Sequence, residues 1–274
     1  MMLMQAGQLG LYRRDSIWTD EISPDMVPGA TMWIDFTDST TLFAANGVSG
    51  GNVTSDGATI GSVRSKVVET RHFNNVYTGN PKLKLAAANG RSAGLFPASN
   101  DSRMNSADGG SQIPISSLVT STTKLVICGV KVTGANADSG TPRTNDAVLS
   151  DTGGYVGLHL SKSGAVVSAR AYNRAGVAQQ DEVVRTFDAD TWTVITMSHQ
   201  SGQLRCRVNG GTWASTASGT TSDVTGIATI ATTPNVTLGM ELAHLVTINT
   251  AQTDAAISAV ERWIANDLGI APWW

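Results

Sequence analysis

Charge is what this chain has least of. Only 15% of its 274 residues are Asp, Glu, Lys or Arg, and the formal net charge is -3. That leaves no basic patch to track a phosphate backbone and argues against nucleic-acid binding. Long apolar runs are missing too. Nothing approaches the ~18 residues a membrane-spanning helix needs, and the mean hydropathy is -0.05. The opening stretch MMLMQAGQLGLYRRDSIW sets its two arginines after its apolar residues, the reverse of a secretory signal. These absences predict a soluble protein made in a cytoplasm, with no membrane insertion.

Cysteine, histidine and glutamate are also scarce. There are two Cys and four His. With no CxxC and with His72, His159, His199 and His244 scattered, no metal-ligand spacing is present. Cys128 and Cys206 fall on apolar strand faces, which predicts two buried free thiols. A bridge between them requires Cα atoms within about 7 Å. The five Glu residues (Glu21, Glu69, Glu182, Glu241, Glu261) form no Glu-x-Asp-x-x-Glu group. Glycoside hydrolysis with retention needs two carboxyls about 5 Å apart on one face. Asp181 and Glu182 are adjacent and would point to opposite sides of a strand. Asp35 and Asp38 straddle a strand end and read as turn caps. Asp138, Asp146 and Asp151 make no compact oxygen cluster for calcium. There is no GxSxG, and Gly50-Gly51 and Gly153-Gly154 read as turns rather than phosphate loops. No enzyme, cofactor or metal is expected.

What is abundant is Gly, Ser, Thr, Ala and Asn, the composition of short strands joined by polar turns. Ala30 to Phe36 alternates, with Met32, Ile34 and Phe36 on one face and Trp33 and Asp35 on the other. Further strands are predicted at Lys82 to Leu85, Ser92 to Phe96, Lys124 to Val132, Ala147 to Ser150, Tyr155 to Ser161, Val166 to Asn173 and Val183 to Phe187. Asn89-Gly90 and Ser163-Gly164 are hairpin turns. Asn46 to Gly61 and Pro97 to Gln112 read as long polar loops. The most informative region is the last third. Asp190 to His199 (DTWTVITMSH) turns through Ser201-Gly202 into Gln203 to Val208 (QLRCRV), followed by Asn235 to Gly239 (NVTLG) and Glu241 to Asn249 (ELAHLVTIN). One helix closes the chain at Thr253 to Leu268. It carries Thr253 as N-cap, Asp254 in its first turn, an Ile257-Val260-Ile264-Leu268 stripe and Gly269 as its stop. The organisation expected is an N-terminal arm over residues 1–28 and one all-β domain over 29–274.

Four pieces, in the correct order, carry a family resemblance. GATMWIDFTDSTTLF (Gly29 to Phe43) is similar to an opening "LWLDASDASTL". Pro81 with Asn89-Gly90 to Phe96 is similar to "P-x-L…NG…F". TWTVITMSHQSGQLRCRVNG (Thr191 to Gly210) is similar to a "W-x-x-V…DG-x-L-x-L-Y-V-N-G" hairpin. Leu238 to Gly269 is similar to a last strand and closing helix, with His244 where an acid is common. The chain thus resembles the concanavalin A-like, laminin-G-like jelly rolls of tailed-bacteriophage virion proteins. A Trp-x-Asp-x-Ser-Gly run of that family is absent between Ser62 and Tyr77, where Val63-Arg64-Ser65-Lys66 stands.

The resemblance implies a two-sheet antiparallel jelly-roll sandwich and a non-enzymatic structural virion protein: capsid decoration, head fibre, or tail or baseplate component. Its partners would be other virion proteins and copies of itself. The arm, through Leu9, Leu11, Tyr12, Arg13, Arg14 and Trp18, would make the assembly contacts. Trp273 and Trp274 either join those contacts or tuck under the domain. The alternative is a carbohydrate-binding module or host-receptor-binding protein, in which an exposed Trp or Tyr beside polar side chains stacks on a cell-surface glycan. Trp33, Trp192 and Trp213 are expected in core or rim packing, and Trp263 against the sheet.

Overall fold

The computed structural model describes residues 21–76, 81–97, 103–134, 146–151, 156–174, 180–220, 226–231 and 239–273. In chain order the strands are β1 Ala30–Asp35, β2 Leu42–Ala45, β3 Ser49–Asn52, β4 Ser62–Arg64, β5 Arg71–Asn75, β6 Lys82–Ala88, β7 Arg91–Phe96, β8 Met104–Asp108, β9 Ser111–Gln112, β10 Lys124–Val132, β11 Asp146–Asp151, β12 Gly157–Ser163, β13 Val166–Arg174, β14 Gln180–Asp188, β15 Thr193–Gln200, β16 Gln203–Val208, β17 Ala214–Ala217, β18 Ala228–Ile230 and β19 Met240–Ile248. The helix α1, Asp254–Asp267, follows. The protein is an all-β sandwich of two antiparallel sheets with a C-terminal helix. One sheet runs β17-β16-β15-β10-β19-β7-β6, with β1 also on β19. The other runs β14-β13-β12-β11-β18-β8-β5-β4-β2-β3, with β9 on β8.

Strand alternation explains the layers. Met32, Ile34 and Phe36 enter the core between the sheets together with Val126, Cys128, Val130, Ile195, Met197, Leu242 and Leu245. From the opposite sheet come Leu158, Leu160, Val167, Ala169 and Ala171. The other face of the first sheet is apolar as well. Trp33, Leu125, Ile127, Val194, Val246 and Ile248 form a second core with Ile257, Val260, Ile264 and Leu268 of α1. Gly129 lets the helix approach, since a Cβ there would meet Leu268 and Ile264 side chains under 3 Å away. The helix is capped as its sequence predicts: Thr253 Oγ1 accepts from Ala256 N, and Gly269 ends it at φ +66. Cys128 and Cys206 are free and buried.

Several strands escape a sequence reading. Pro97 to Gln112, read as a polar loop, contains β8 and β9. The small polar side chains of β8 hide a central strand that is laddered on both sides, to β5 and β18. Its buried Ser106 donates to the Ile113 carbonyl. β3 likewise includes Gly50 and Gly51, expected as a turn, and it is an edge strand with both glycines at positive φ. β4, β5, β17 and β18 are too short or too polar to show a period. Residues 235–238 of the expected NVTLG strand lie outside the described residues. Of the 1–28 arm, residues 21–28 are described. They fold onto the chain's own second core through Ile22 and Val27, with Ile22 N donating to Ala259 O.

One side of α1 is pinned by a buried ion pair. Arg207 Nη2 lies 2.8 Å from Glu261 Oε2, and Thr196 Oγ1 also donates to Glu261. Trp213 packs its ring against Arg205 and Arg207 at 4.4 and 4.2 Å. Burial pushes the Glu261 carboxyl up, an effect that Arg207 and Thr196 oppose. Truncating one partner strands the other charge in the interior, which costs about 3–5 kcal/mol, whereas a well-packed apolar pair is close to neutral. Glu261→Ala is therefore expected to lose about 3 kcal/mol or more in urea unfolding, and Arg207→Met/Glu261→Met to recover most of it. Equal losses in the single and double variants would show that the pair itself, not the stranded charge, matters.

Candidate functional site

On the other side of α1, four stretches of the chain meet around a cleft of about 320 Å³. Asp35 comes from the end of β1. The turn that follows supplies Thr37, Asp38 and Ser39, Lys66 reaches in from the loop after β4, and Arg91 opens β7. Trp263 and Asp267 are one helical turn apart on α1, so they stand on the same helix face.

The turn forms because Asp35 and Asp38 fold their carboxylates onto the backbone. Asp35 Oδ1 accepts from Thr37 N and Oγ1 at 2.9 and 2.7 Å. Asp38 Oδ1 accepts from Thr40 N and Oγ1 at 3.0 and 2.7 Å. Both act as the turn caps their sequence suggests, and both have a second oxygen to spare. Those two oxygens hold Lys66 Nζ at 3.1 Å each. The same ammonium lies 4.5 Å from the centroid of the Trp33 ring, an aromatic face that adds to the attraction. Burial alone would lower the Lys66 ammonium pKa, but Asp35 and Asp38 hold it above the usual range.

His244 lies beneath the cleft, behind Asp35 and Asp267. It lies inside β19 and is 0% exposed. A bulge explains this. Gly129 pairs with His244 but Val130 with Leu242, so Ala243 is the extra residue. Such a bulge re-aims the side chains around it. Here it lets Leu242 and Leu245 both enter the inner core while the imidazole faces the helix. His244 Nε2 is 3.0 Å from Asp267 Oδ2 and Nδ1 is 3.4 Å from Asp35 Oδ1. Asp267 Oδ1 pairs with Arg91 at 2.8 Å. Burial raises the Asp267 pKa, but His244 and Arg91 outweigh it and keep the carboxyl below its usual range. The Trp263 ring stands edge-on to Trp33 and His244, 5.3 Å from each. The result is a rigid wall of oriented carboxylates, two cations and an indole. Trp33, His244 and Trp263 each stand out in the sequence, Lys66 only as part of a departure from the resembled pattern, and Arg91 and Asp267 not at all. Nothing in the sequence links positions 35, 66, 91, 244 and 267 before the chain is folded.

Other candidates are less equipped. A wider groove of about 550 Å³ lies between Arg185, Asp188, Thr191 and Asn209, but it offers no indole and no titratable cluster. Among the described residues, no three His, Cys, Asp or Glu side chains are placed to hold a metal ion. Asp151 serves the backbone, accepting from Val156 N, and Asp138 lies outside the described residues. Asp181 and Glu182 do part to opposite sides, toward Ser218 and Arg170. Trp273 packs partly buried on the second core and against Gly210, whose missing side chain makes room for the indole. Leu9, Leu11, Tyr12, Arg13, Arg14, Trp18 and Trp274 lie outside the described residues.

A second polar group closes one end of the inner core. Lys124 is 1% exposed, and its Nζ donates to Ser121 O at 3.0 Å and lies 3.3 Å from His199 Nδ1. Asn173 reaches His199 from the opposite sheet. Burial lowers the Lys124 ammonium to about 8, and burial and Lys124 together lower His199. At Lys124 the unfolded chain holds, from pH 8 to 10.5, a proton that the folded one has lost, so this group's contribution to stability rises with pH across that window. The buried thiols of Cys128 and Cys206, protonated longer in the folded chain, pull the other way above about pH 9. Below pH 8 the full cost, on the order of 3 kcal/mol, is carried. His199 adds a second loss as pH falls below its ordinary range. Lys124→Met is expected to be more stable than the parent at neutral pH, with an advantage that shrinks as pH rises from 8 to 10.5 in urea titrations. A less stable variant, or an advantage that does not change with pH, would contradict this.

No family model matches the chain, and no curated protein matches it in sequence. Solved structures do match in shape. The binding domain of a paraclostridial mosquitocidal protein superposes with a TM-score of 0.55 at 11% identity, covering 89% of this chain and 53% of that one. The binding domain of botulinum neurotoxin serotype D/C gives 0.50 at 7% identity, over 88% and 53%. The receptor binding domain of botulinum neurotoxin type G gives 0.50 at 9%, over 87% and 51%. The chain thus spans about half the length of each, and at such identity the likeness establishes a shared fold alone. This chain has the β-sandwich fold that those toxin binding domains contain.

Proposed function

We propose that this protein is a non-enzymatic recognition module whose β-sandwich presents the Asp35–Trp263–Asp267 cleft to a saccharide on a cell surface. The observation that carries the reading is the cleft itself. Sugar recognition needs an aromatic wall beside hydrogen-bonding groups held in fixed orientation. Here Trp263 stands among three carboxylates, each already fixed by partners within the protein. Groups ordered before a ligand arrives lose little entropy on binding it. The toxin structures of the same fold are named as binding domains, which supports a recognition role.

A virion setting, made in a host cytoplasm, is the part of this proposal supported by the sequence resemblance of Gly29 to Gly269. In that setting the arm would dock on capsid or tail subunits while the sandwich faces outward. Because Ile22 and Val27 belong to the domain's own second core, the informative deletion is residues 1–20. It is expected to leave the thermal transition intact and to abolish co-sedimentation of the protein with assembled particles. Normal incorporation would remove the arm from the proposal.

For the cleft, Trp263→Ala is expected to weaken binding to saccharides found on a glycan array by roughly tenfold, about 1.4 kcal/mol. Trp192→Ala, on the same sheet face but outside the cleft, should leave binding unchanged. Circular dichroism of both variants checks that the fold persists. Absence of any glycan signal from the parent protein would refute the recognition reading.

A further inference from the structure

We infer that the cleft takes an amine-bearing saccharide, a 2-amino-2-deoxyhexose unit, and that Lys66 occupies the place of the ligand's ammonium until the ligand arrives. The inference rests on the saccharide reading above and narrows it to one chemical class.

The first support is charge. Asp35, Asp38 and Asp267 line the cleft with Lys66 and Arg91, three carboxylates against two permanent cations, and the His244 imidazole lies behind Asp35 and Asp267. Both cations are already paired with carboxylates of the cleft. Lys66 lies 3.1 Å from both Asp35 and Asp38, and Arg91 is 2.8 Å from Asp267. An incoming carboxylate or sulfate would meet like charge in a partly desolvated site, where such a clash is felt most.

The second support is a bound ammonium already in view. Lys66 Nζ sits between two carboxylate oxygens and against the Trp33 ring. That is the arrangement that recognises an organic cation: charge-assisted hydrogen bonds on one side and an aromatic face on the other. The Lys66 side chain is 30% exposed and hangs on a flexible stem, so it can swing into solvent. A sugar ammonium then replaces it like for like, while the ring that carries it lies along Trp263. Asp38, 30% exposed, stands at the mouth of this cage and Asp35, 4% exposed, at its base. Arg91, at 54% exposure, borders the opening.

An internal competitor reduces the fraction of protein ready to bind. Removing it should strengthen binding, the opposite of what loss of a merely structural lysine would do. Calorimetric titration at mildly acidic pH, where sugar amines are protonated, would compare a trimer of 2-amino-2-deoxyglucose, its N-acetylated counterpart and a sialylated trisaccharide. The parent protein is expected to bind the amine trimer best. Lys66→Ala should tighten that binding by about threefold or more, and Asp38→Asn should weaken it by roughly tenfold. Thermal melts confirm that both variants fold. If Lys66→Ala weakens amine binding, or if the acetylated or sialylated sugar binds best, the inference falls and the saccharide reading stands. If none of the three binds and the glycan array is also silent, both fall together.

Discussion

A β-sheet that is apolar on both faces has to be covered twice, and the rest of this structure follows from that. The sheet centred on β10 and β19 offers Val126, Cys128, Leu242 and Leu245 to one side and Leu125, Ile127, Val246 and Ile248 to the other. The second sheet covers the first set. Among the described residues α1 covers most of the second, with Ile22, Val27 and Trp273 beside it, and each large side chain hidden there is worth about 1.5–3 kcal/mol. The rotation of α1 about its axis is fixed by its apolar stripe and by Glu261 seated on Arg207. With the rotation fixed, Trp263 and Asp267 have no choice but to face β1 and His244. Closing the core and building the cleft are thus one event.

Much of the frame was legible because burial leaves a period in the sequence. The two-residue alternation of Met32, Ile34 and Phe36 against Trp33 and Asp35 is what the layers require. The spacing of Ile257, Val260, Ile264 and Leu268, with Thr253 and Gly269 at its ends, marks the helix nearly residue by residue. Periods fail where side chains do little. Met104–Asp108 is central in its sheet yet held by backbone ladders and small polar groups, so it reads as loop. The cleft was legible only in fragments. Asp35 and Asp38 show themselves as caps, a local role, whereas Lys66, Arg91 and Asp267 acquire meaning through contacts across much of the chain. His244 depends on a bulge, and one extra residue in a ladder leaves no mark in the pattern of a strand as apolar as MELAHLVTI.

Buried polar groups serve two different ends here. At the end of the inner core, Lys124 and His199 share one hydrogen bond, and burial disfavours the charge Lys124 carries at neutral pH, which weakens the fold there. In the cleft every charge has an opposite charge within about 3 Å, near the optimum for a charge-assisted bond. Such pairing sets the carboxylates in place through their backbone and His244 contacts, while Lys66 at the rim can exchange.

The two thiols carry a consequence of their own. Cys128 and Cys206 lie on strands separated by β15, enclosed in the inner core. Burial pushes the Cys206 thiol up to about 12 and raises Cys128 further, Cys206 adding to that rise. Thiolate is the form that oxidises and exchanges disulfides. With that form suppressed, the sandwich owes nothing to cross-linking and gains nothing from it. Neither thiol is therefore a ready partner for disulfide exchange, whether the surroundings are reducing or oxidising.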